Sequence, residues 1–475
     1  MKKKVLVLLV IILGIYIAAF FFVKSQIKKE LENHPELVYE DVSLGLLGEI
    51  EIDGVSYKSK TLNFNDAQID LNIDFLSFLN GKQKTINGVK LSHTNIEIFD
   101  QKSDSIKPSD TSSVDLIIKK LQFENVNLKL HRLEKVLEVE RMNFRMSDIE
   151  NFDNFDIKQL KNLNFNSLTY PINALQKIEI EAFAIKNKNG KINDLKIIPL
   201  LDKDNYSKVL KRETDLIDLS IPSLDFMIDD FSINKGDIDS LIFESVNLDS
   251  VNLQIYRDKT LPDDKSIKRS YTQQLKDLDF NFALNQLSLK NTEMVYGEKY
   301  FNDKTYALIN FKDIEIELDS ISNFNSKFAR LKSSCKLNND SDLKLFITYD
   351  LNGIPPNFDA KIEAQNIDAG TFSDLLKQSQ KKEIEGRIQN LSTVFRSTNN
   401  LASGDFNLKA SDIKVTLFND KFKKKKIVSF LANTIISKDK DKSFQIENVQ
   451  KKQTKSFWNY LWSFIKTGLK TALLK

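Results

Sequence analysis

The residues that carry most enzyme chemistry are few in this chain, and they form no known catalytic motif. The only histidines are His34, His93 and His131, and Cys335 is the only cysteine. The histidines are not at metal-ligand spacing, and one cysteine can form neither an intramolecular disulfide nor a Cys-rich zinc site. Nucleophile-elbow, zinc-protease, P-loop and dinucleotide-binding patterns are also missing from the sequence. We therefore predict no enzyme activity, no catalytic residue, no metal site and no cofactor.

The charged residues are numerous but balanced. Without Lys2, Lys3 and Lys4, the Lys and Arg residues equal the 66 Asp and Glu residues in number. A neutral domain lacks the electrostatic footprint of a nucleic-acid binder, so we expect no nucleic-acid partner. Most carboxylates alternate with apolar residues, which predicts a solvated strand face. The block formed by Tyr256–Lys259 and Pro262–Asp264 is predicted to be a charged loop between strands, with a binding role as the alternative.

The C-terminal segment Ser456–Leu474 combines two Trp and a Tyr with lysines, a composition typical of a helix in a bilayer interface. A second membrane span is disfavoured, because Lys466 and Lys470 would cost ~2.5–3.5 kcal/mol each near the bilayer centre. The alternative is a helix that packs its apolar arc across the end of a sheet. The membrane-interface candidates are Trp458, Leu461, Trp462, Ile465, Leu469, Lys466 and Lys470.

Most of the chain is predicted to form strands, because apolar and polar residues alternate with period two from residue 42 to 418. A short phrase with an i, i+3 step between apolar residues recurs along this region. A bulge at its central small or polar residue would return the apolar side chains to one face. We expect a long curled antiparallel sheet, with an ordinary β-sandwich as the alternative. The five central residues of the phrase are Gly54, Gly88, Asn125, Ser245 and Asp313.

The N-terminus predicts a membrane anchor. The stretch Val5–Val23 has no charged residue, and as a helix it would reach ~28 Å, close to the ~30 Å hydrocarbon core. A core helix would show a polar face, and a signal peptide would have a shorter apolar region and a small-x-small cleavage site. The preceding Lys2–Lys4 cluster predicts a cytoplasmic N-terminus, with the rest of the chain outside the cytoplasm.

Together these patterns predict a mainly β protein with an N-terminal transmembrane helix, few short helices and a C-terminal amphipathic helix. One short helix is expected over 370–383. The predicted divisions are an anchor (1–24), a membrane-proximal helix or linker (25–41), a repetitive β-groove (42–366), a C-terminal β module with a helix (367–420), and a basic and apolar segment ending in the amphipathic helix (421–475).

The anchor followed by Gly48–Val55 resembles the AsmA family of envelope proteins. The segments Ile367–Leu376, Glu385–Ile388 and Ala402–Ala410 resemble the C-terminal module of that family, and the middle of the chain is similar to an uncharacterised AsmA-like branch. The resemblance implies a single-pass inner-membrane protein with a periplasmic β-groove. It also implies movement of phospholipid toward the outer membrane.

The resemblance gives the alternating apolar residues a role, since a curled apolar face offers lipid tails an alkane-like surface worth ~0.8 kcal/mol per sheltered CH₂. The expected partners are phospholipid, membrane and other envelope proteins. The alternative function is a non-catalytic structural or assembly factor that organises the envelope through protein contacts. The lipid-groove candidates are Leu278, Phe280, Phe282, Ile314, Ile316, Leu318, Leu343, Leu345, Ile347 and Tyr349.

Overall fold

A computed structural model describes residues 25, 29, 36–45, 48–74, 83–100, 115–149, 154–302, 305–337, 341–353, 355, 357–419, 422–423 and 440–474. The predicted anchor Val5–Val23 lies outside the described residues. Among the described helices, none is both long and apolar enough to cross a membrane. The protein is mainly β, with few short helices. The chain divides into two compact units: the first extends to Pro171 and includes Ile180–Asn187, and the second comprises Ile172–Glu179 and Lys188–Lys475.

The first unit contains the strands from β1 to β11. They are β1 (Leu37–Val38), β2 (Asp41–Leu44), β3 (Glu49–Lys58), β4 (Leu62–Ile73), β5 (Gln83–Ser92), β6 (Asn95–Asp100), β7 (Asp115–Ile118), β8 (Lys120–Arg132), β9 (Lys135–Ser147), β10 (Asn154–Asp156) and β11 (Leu160–Phe165). Two further strands, β12 (Ser167–Asn173) and β13 (Gln176–Lys186), contain the points where the chain passes between the units.

The second unit contains the remaining described strands and the three α-helices named below. The strands are β14 (Asn189–Pro199), β15 (Asp215–Asn234), β16 (Asp237–Asp249), β17 (Asn252–Asp258), β18 (Asn281–Lys299), β19 (Ala307–Ser322), β20 (Phe328–Leu337), β21 (Ser341–Asp350), β22 (Phe358–Asp368), β23 (Lys382–Thr398), β24 (Leu401–Leu417) and β25 (Lys440–Gln450). The helices are α1 (Tyr271–Lys276), α2 (Ser373–Gln380) and α3 (Phe457–Leu474). Helix α2 and helix α3 confirm the two helices predicted in this region.

The sheet is mixed rather than antiparallel throughout. In the first unit β8 is parallel to both β5 and β6, and in the second β18 is parallel to both β16 and β17. The segments 101–114 and 259–280 precede these parallel returns, and parallel strands need a long crossover of this kind. The expectation of an antiparallel sheet was therefore wrong at two places, both of which follow a long polar segment.

The two units share one order of strands. In the first, β4 pairs with a broken strand, β5 and β6, then β8 returns in parallel and β9 pairs with it in antiparallel fashion. In the second, β15, the broken strand β16 and β17, then β18 and β19 repeat this order. The breaks at His93 and Ser250 have φ values of 55° and 58°. The apolar positions of the broken strands correspond in order: Val89, Leu91, Ile96 and Ile98 to Val246, Leu248, Leu253 and Ile255.

A row of left-handed residues crosses neighbouring strands in each unit. In the first unit these residues are Gly54, Asp66, His93, Asn125 and Arg141, and in the second they are Ser250, Asn291 and Asp313. The ladders shift register at these rows, as at Ile52/Val55 and Phe123/Val126. A bulge adds one residue and so preserves the inward face on both sides of it. Ile52 and Val55 are accordingly both buried, at 4% and 1% exposure.

The predicted bulge phrase is thus confirmed in position but only partly in backbone conformation. Gly54, Asn125 and Asp313 have positive φ, whereas Gly88 and Ser245 do not. The ladders still shift beside Gly88 and Ser245, since their pairing skips the intervening Asn87 and Glu244. A bulge without a left-handed residue therefore shifts the register at these two places.

Candidate functional site: the apolar face and the terminal helix

The inward face of the first unit is lined by apolar residues that pair directly across the strands. One row runs through seven strands and consists of Ile52, Ile69, Leu91, Phe123, Phe144, Leu163 and Ile185. Directly paired residues lie on the same side of a sheet. The central members, such as Phe123 and Phe144, are only half-buried, and their rings lie 5.6 Å apart. The sheet therefore presents a continuous apolar surface in this unit.

On the other side of the bulge row a second apolar row continues the same face. It consists of Tyr57, Phe64, Ile96, Leu128, Val139 and Leu168. Because the bulges restore the inward direction, the apolar surface extends along the strands as well as across them. Sequence reasoning placed no candidate in this unit, although the same alternation signals it.

The second unit carries a corresponding row, and some of the predicted groove residues lie in it. This row consists of Phe226, Val246, Leu287, Leu318, Leu331, Ile347, Ala360 and Phe395. Leu318 and Ile347 are thus brought together through Leu331. Ile316 and Leu345 are similarly connected through Ser333.

The exposure of the predicted groove residues changes along the sheet. Phe282, Ile316 and Leu318 are half-buried, while Ile314 is 8% exposed and Ile347 is 2% exposed. The half-buried Leu343, Leu345 and Tyr349 pack against the same core cluster that contains Ile347.

Leu278 and Phe280 do not lie in a strand, although the alternation predicted one from residue 278. Strand β18 begins at Asn281, and both residues belong to the connection that follows α1. The Asn323 side chain holds this connection: its amide donates to the Phe280 carbonyl at 2.7 Å, and its oxygen accepts from the Phe282 N–H at 2.8 Å.

The opposite face of the same strands is polar, as predicted. Glu315 and Glu317 are exposed between the inward residues of β19. The Lys332 ammonium lies 3.2 Å from the Glu317 carboxylate on the neighbouring strand. This outer face leaves the apolar side as the distinctive surface of the sheet.

Helix α3 packs on the inward face over the last strands of the second unit. Phe464 is fully buried and stacks on Phe395 with ring centres 4.1 Å apart. A Cβ at Gly468 would lie 2.3 Å from the Phe406 ring, so only glycine permits this close approach. Tyr460 and Ala472, at 3% and 1% exposure, complete the buried stripe. The helix therefore covers the sheet, the arrangement that the sequence left as the alternative.

The membrane-interface candidates divide between the buried and the outer side of α3. Leu461 is 5% exposed and belongs to the core, and Ile465 and Leu469 are half-buried against it. Trp458 and Trp462 are 50% and 39% exposed. Lys466 and Lys470 are also exposed. The two Trp residues thus remain on the outer surface of a helix that is anchored by its other side.

The charged block predicted as a loop is only partly one: Tyr256–Asp258 end strand β17, and Lys259 and Pro262–Asp264 belong to the connection before α1. This connection contacts the segment before α3. The Lys455 ammonium donates to the Asp263 carboxylate at 2.6 Å, and Lys259 pairs with Glu213. Desolvation raises the pKa of Glu213. Hydrogen bonds with Glu213 and Lys455 lower the pKa of Asp263 to about 2. The backbone N–H of Lys268 also donates to the Gln453 carbonyl at 2.8 Å.

The chemically reactive residues have structural surroundings. Burial raises the pKa of the Cys335 thiol to about 11, so the thiolate is scarce at neutral pH. His93 hydrogen-bonds Asn125, and His131 stacks on Phe99 with ring centres 4.5 Å apart. No group of three or more potential metal ligands occurs within the described ranges. His34 lies outside them.

No family model matches the chain, and no curated protein matches it.

Proposed function

We propose that this chain is a membrane-anchored envelope protein whose apolar β-groove shields or conducts phospholipid acyl chains. The observation that carries the proposal is the seven-strand apolar row from Ile52 to Ile185 and its counterpart in the second unit. A soluble sheet normally buries such a face, and large exposed apolar surfaces mark binding sites. The half-buried aromatic and aliphatic side chains provide the acyl chains with a surface that does not require specific polar contacts.

The remaining parts of the proposal rest on the sequence. Val5–Val23 is proposed as a single inner-membrane anchor with a cytoplasmic N-terminus, which places the β-units in the periplasm. The resemblance to the AsmA family supports the same arrangement and a role in lipid transport for outer-membrane biogenesis. A reporter enzyme that is active only outside the cytoplasm, fused after Lys475, is expected to be active.

The groove is tested by photocrosslinking from the two faces of one strand. A photoreactive amino acid replaces Leu318 on the inward face or Glu317 on the outward face, and adducts formed in cells are identified by mass spectrometry. We expect phospholipid adducts from position 318 and at least ten-fold fewer from position 317, because consecutive strand residues point to opposite faces.

Equal lipid yield from the two positions would contradict the groove. Protein adducts from position 318, with no lipid, would instead support the alternative function of an envelope assembly factor.

A further inference from the structure

A cavity of about 450 Å³ lies in the second unit, and its lining includes Tyr349, one of the predicted groove residues. Its walls come from the crossover loop before α1, from β21 to β23, and from the chain leading into α3. This volume lies within the range of small-molecule sites. All the contributing residues belong to one compact unit.

The charge of the cavity is of one sign. Its charged lining residues are Lys268, Arg269 and Lys451, and no carboxylate lines it. Lys268 pairs with Asp264, and Arg269 pairs with Asp277. The Lys451 ammonium forms no hydrogen bond or ion pair with any other described residue. Desolvation also lowers the pKa of the Lys451 ammonium, consistent with a partly buried cation that lacks an anionic partner.

A second polar group in the same cavity is also without a partner. The hydroxyl oxygen of Tyr349 is buried, and no hydrogen-bond partner is present for it among the described residues. Burial raises the pKa of Tyr349, so this hydroxyl remains a donor at neutral pH. Buried polar groups are normally satisfied, so an unpaired hydroxyl and an unpaired ammonium from two residues that line one cavity indicate a ligand with acceptor oxygens.

The rest of the lining combines aromatic side chains with neutral polar residues, among them Ser397, Asn400 and Ser456. Phe358 and Phe457 line it with ring centres 5.1 Å apart, and Tyr349 lies 5.1 Å from Phe457. Ile267 and Tyr271 also line the cavity and are 70% and 54% exposed, so they form its apolar rim. Cationic side chains and exposed apolar side chains in one cavity suit a molecule with an anionic group attached to a hydrocarbon part.

We infer that this cavity binds the phosphate-bearing headgroup of an anionic phospholipid, with Lys451 and the Tyr349 hydroxyl contacting the phosphate and Ile267 and Tyr271 contacting the start of the acyl chains. The inference rests on the proposed function and assigns it an entry or holding site. The volume suits a headgroup, and the acyl chains extend past the rim.

The test uses the full chain in nonionic detergent, titrated with phosphatidylglycerol, with bound lipid counted by native mass spectrometry. Lys451→Gln is expected to weaken binding about ten-fold or more, since it removes a charge-assisted hydrogen bond. Tyr349→Phe should weaken it a few-fold without loss of stability, because its hydroxyl has no protein partner. Lys452→Gln is the matched control: it removes the same charge from the next residue, which is exposed and does not line the cavity.

Lys451→Arg is the control for a folding defect in the Gln variant. It keeps the charge and should retain binding. Equal affinities in Lys451→Gln and Lys452→Gln, or no saturable binding by the wild type, would overturn the inference. Inorganic phosphate is titrated in parallel. If it binds alone as tightly as the lipid and with the same Lys451 dependence, the site takes a free anion and the lipid assignment is wrong.

The result separates this site from the groove. If the titration shows no Lys451-dependent lipid binding but lipid adducts still form at position 318, the proposed function stands without this cavity. If neither experiment detects lipid, the lipid role is wrong altogether.

Discussion

The inward face of the second unit is built from the same residue types along its length, but its two parts are buried differently. Over β22 to β24, Ala360, Phe395 and Phe406 are at most 2% exposed, and α3 packs on them. Over β16 to β20, Leu287, Leu318 and Leu331 in the same kind of row are half-buried. The comparison indicates that the residues of a row do not decide whether the face is sealed. The covering element decides it.

A carboxylate placed in each part tests whether the two parts differ in their access to water. Ile347→Asp puts a charge at a position that is 2% exposed, and we expect a loss of about 4 kcal/mol or more in the free energy of unfolding. Leu318→Asp, in the same row but half-buried, should lose about 1–2 kcal/mol because water can reach the charge. Denaturant unfolding measures both. Equal losses would mean that both parts are sealed.

Removing a contact between helix α3 and the sheet tests whether the helix stabilises this part of the face. Phe464→Ala deletes a fully buried ring that stacks on Phe395, and we expect a loss of about 3–5 kcal/mol. Trp462→Ala is the control on the same helix, since this side chain is 39% exposed, and should lose about 1 kcal/mol. Thermal unfolding followed by circular dichroism gives the comparison. A loss as large for Trp462→Ala would place the outer side of the helix in contact with a further element.

The outer side of α3 is tested by membrane binding. Trp458→Glu combined with Trp462→Glu should reduce binding to anionic vesicles about ten-fold, because both rings are exposed on a helix that also carries Lys466 and Lys470. Wild-type binding should weaken with salt. The unfolding midpoint should change little. Unchanged vesicle binding together with a large drop in stability would make the Trp residues part of the cover alone.

The smallest expected effect concerns the ion pair that joins the crossover loop to the segment before α3. The pKa of Asp263 is lowered to about 2, so its contribution is present above its ordinary value of ~3.9 and is lost as the pH falls from about 4 to about 2. We expect less than ~1 kcal/mol, since the pair is largely exposed. The raised pKa of Glu213 acts with the opposite sign, so Asp263→Asn is compared with the wild type across this pH range. Identical pH profiles would exclude a contribution from this pair.

Much of the fold could be read from the sequence because alternation and bulge phrases are local signals. They correctly predicted β-strands with a polar outer face, the helix beginning near Ser373 and the terminal helix. They failed at Leu278 and Phe280, where Asn323, which follows strand β19, fixes the backbone. The parallel returns and the covering of Ile347 by core residues were also beyond reach, because both depend on contacts between residues far apart in the chain. The cavity around Lys451 and Tyr349 has no sequence signal at all.

The shared strand order of the two units has an evolutionary consequence. A broken strand, a left-handed break, a parallel return and its antiparallel partner recur with corresponding apolar residues, from Val89 to Ile98 and from Val246 to Ile255. A module of this kind can be copied within a gene without disturbing the pairing of the strands on either side, since each copy supplies its own neighbours. Lengthening the protein by duplication would therefore extend its apolar face in whole steps, and shortening it would remove whole steps.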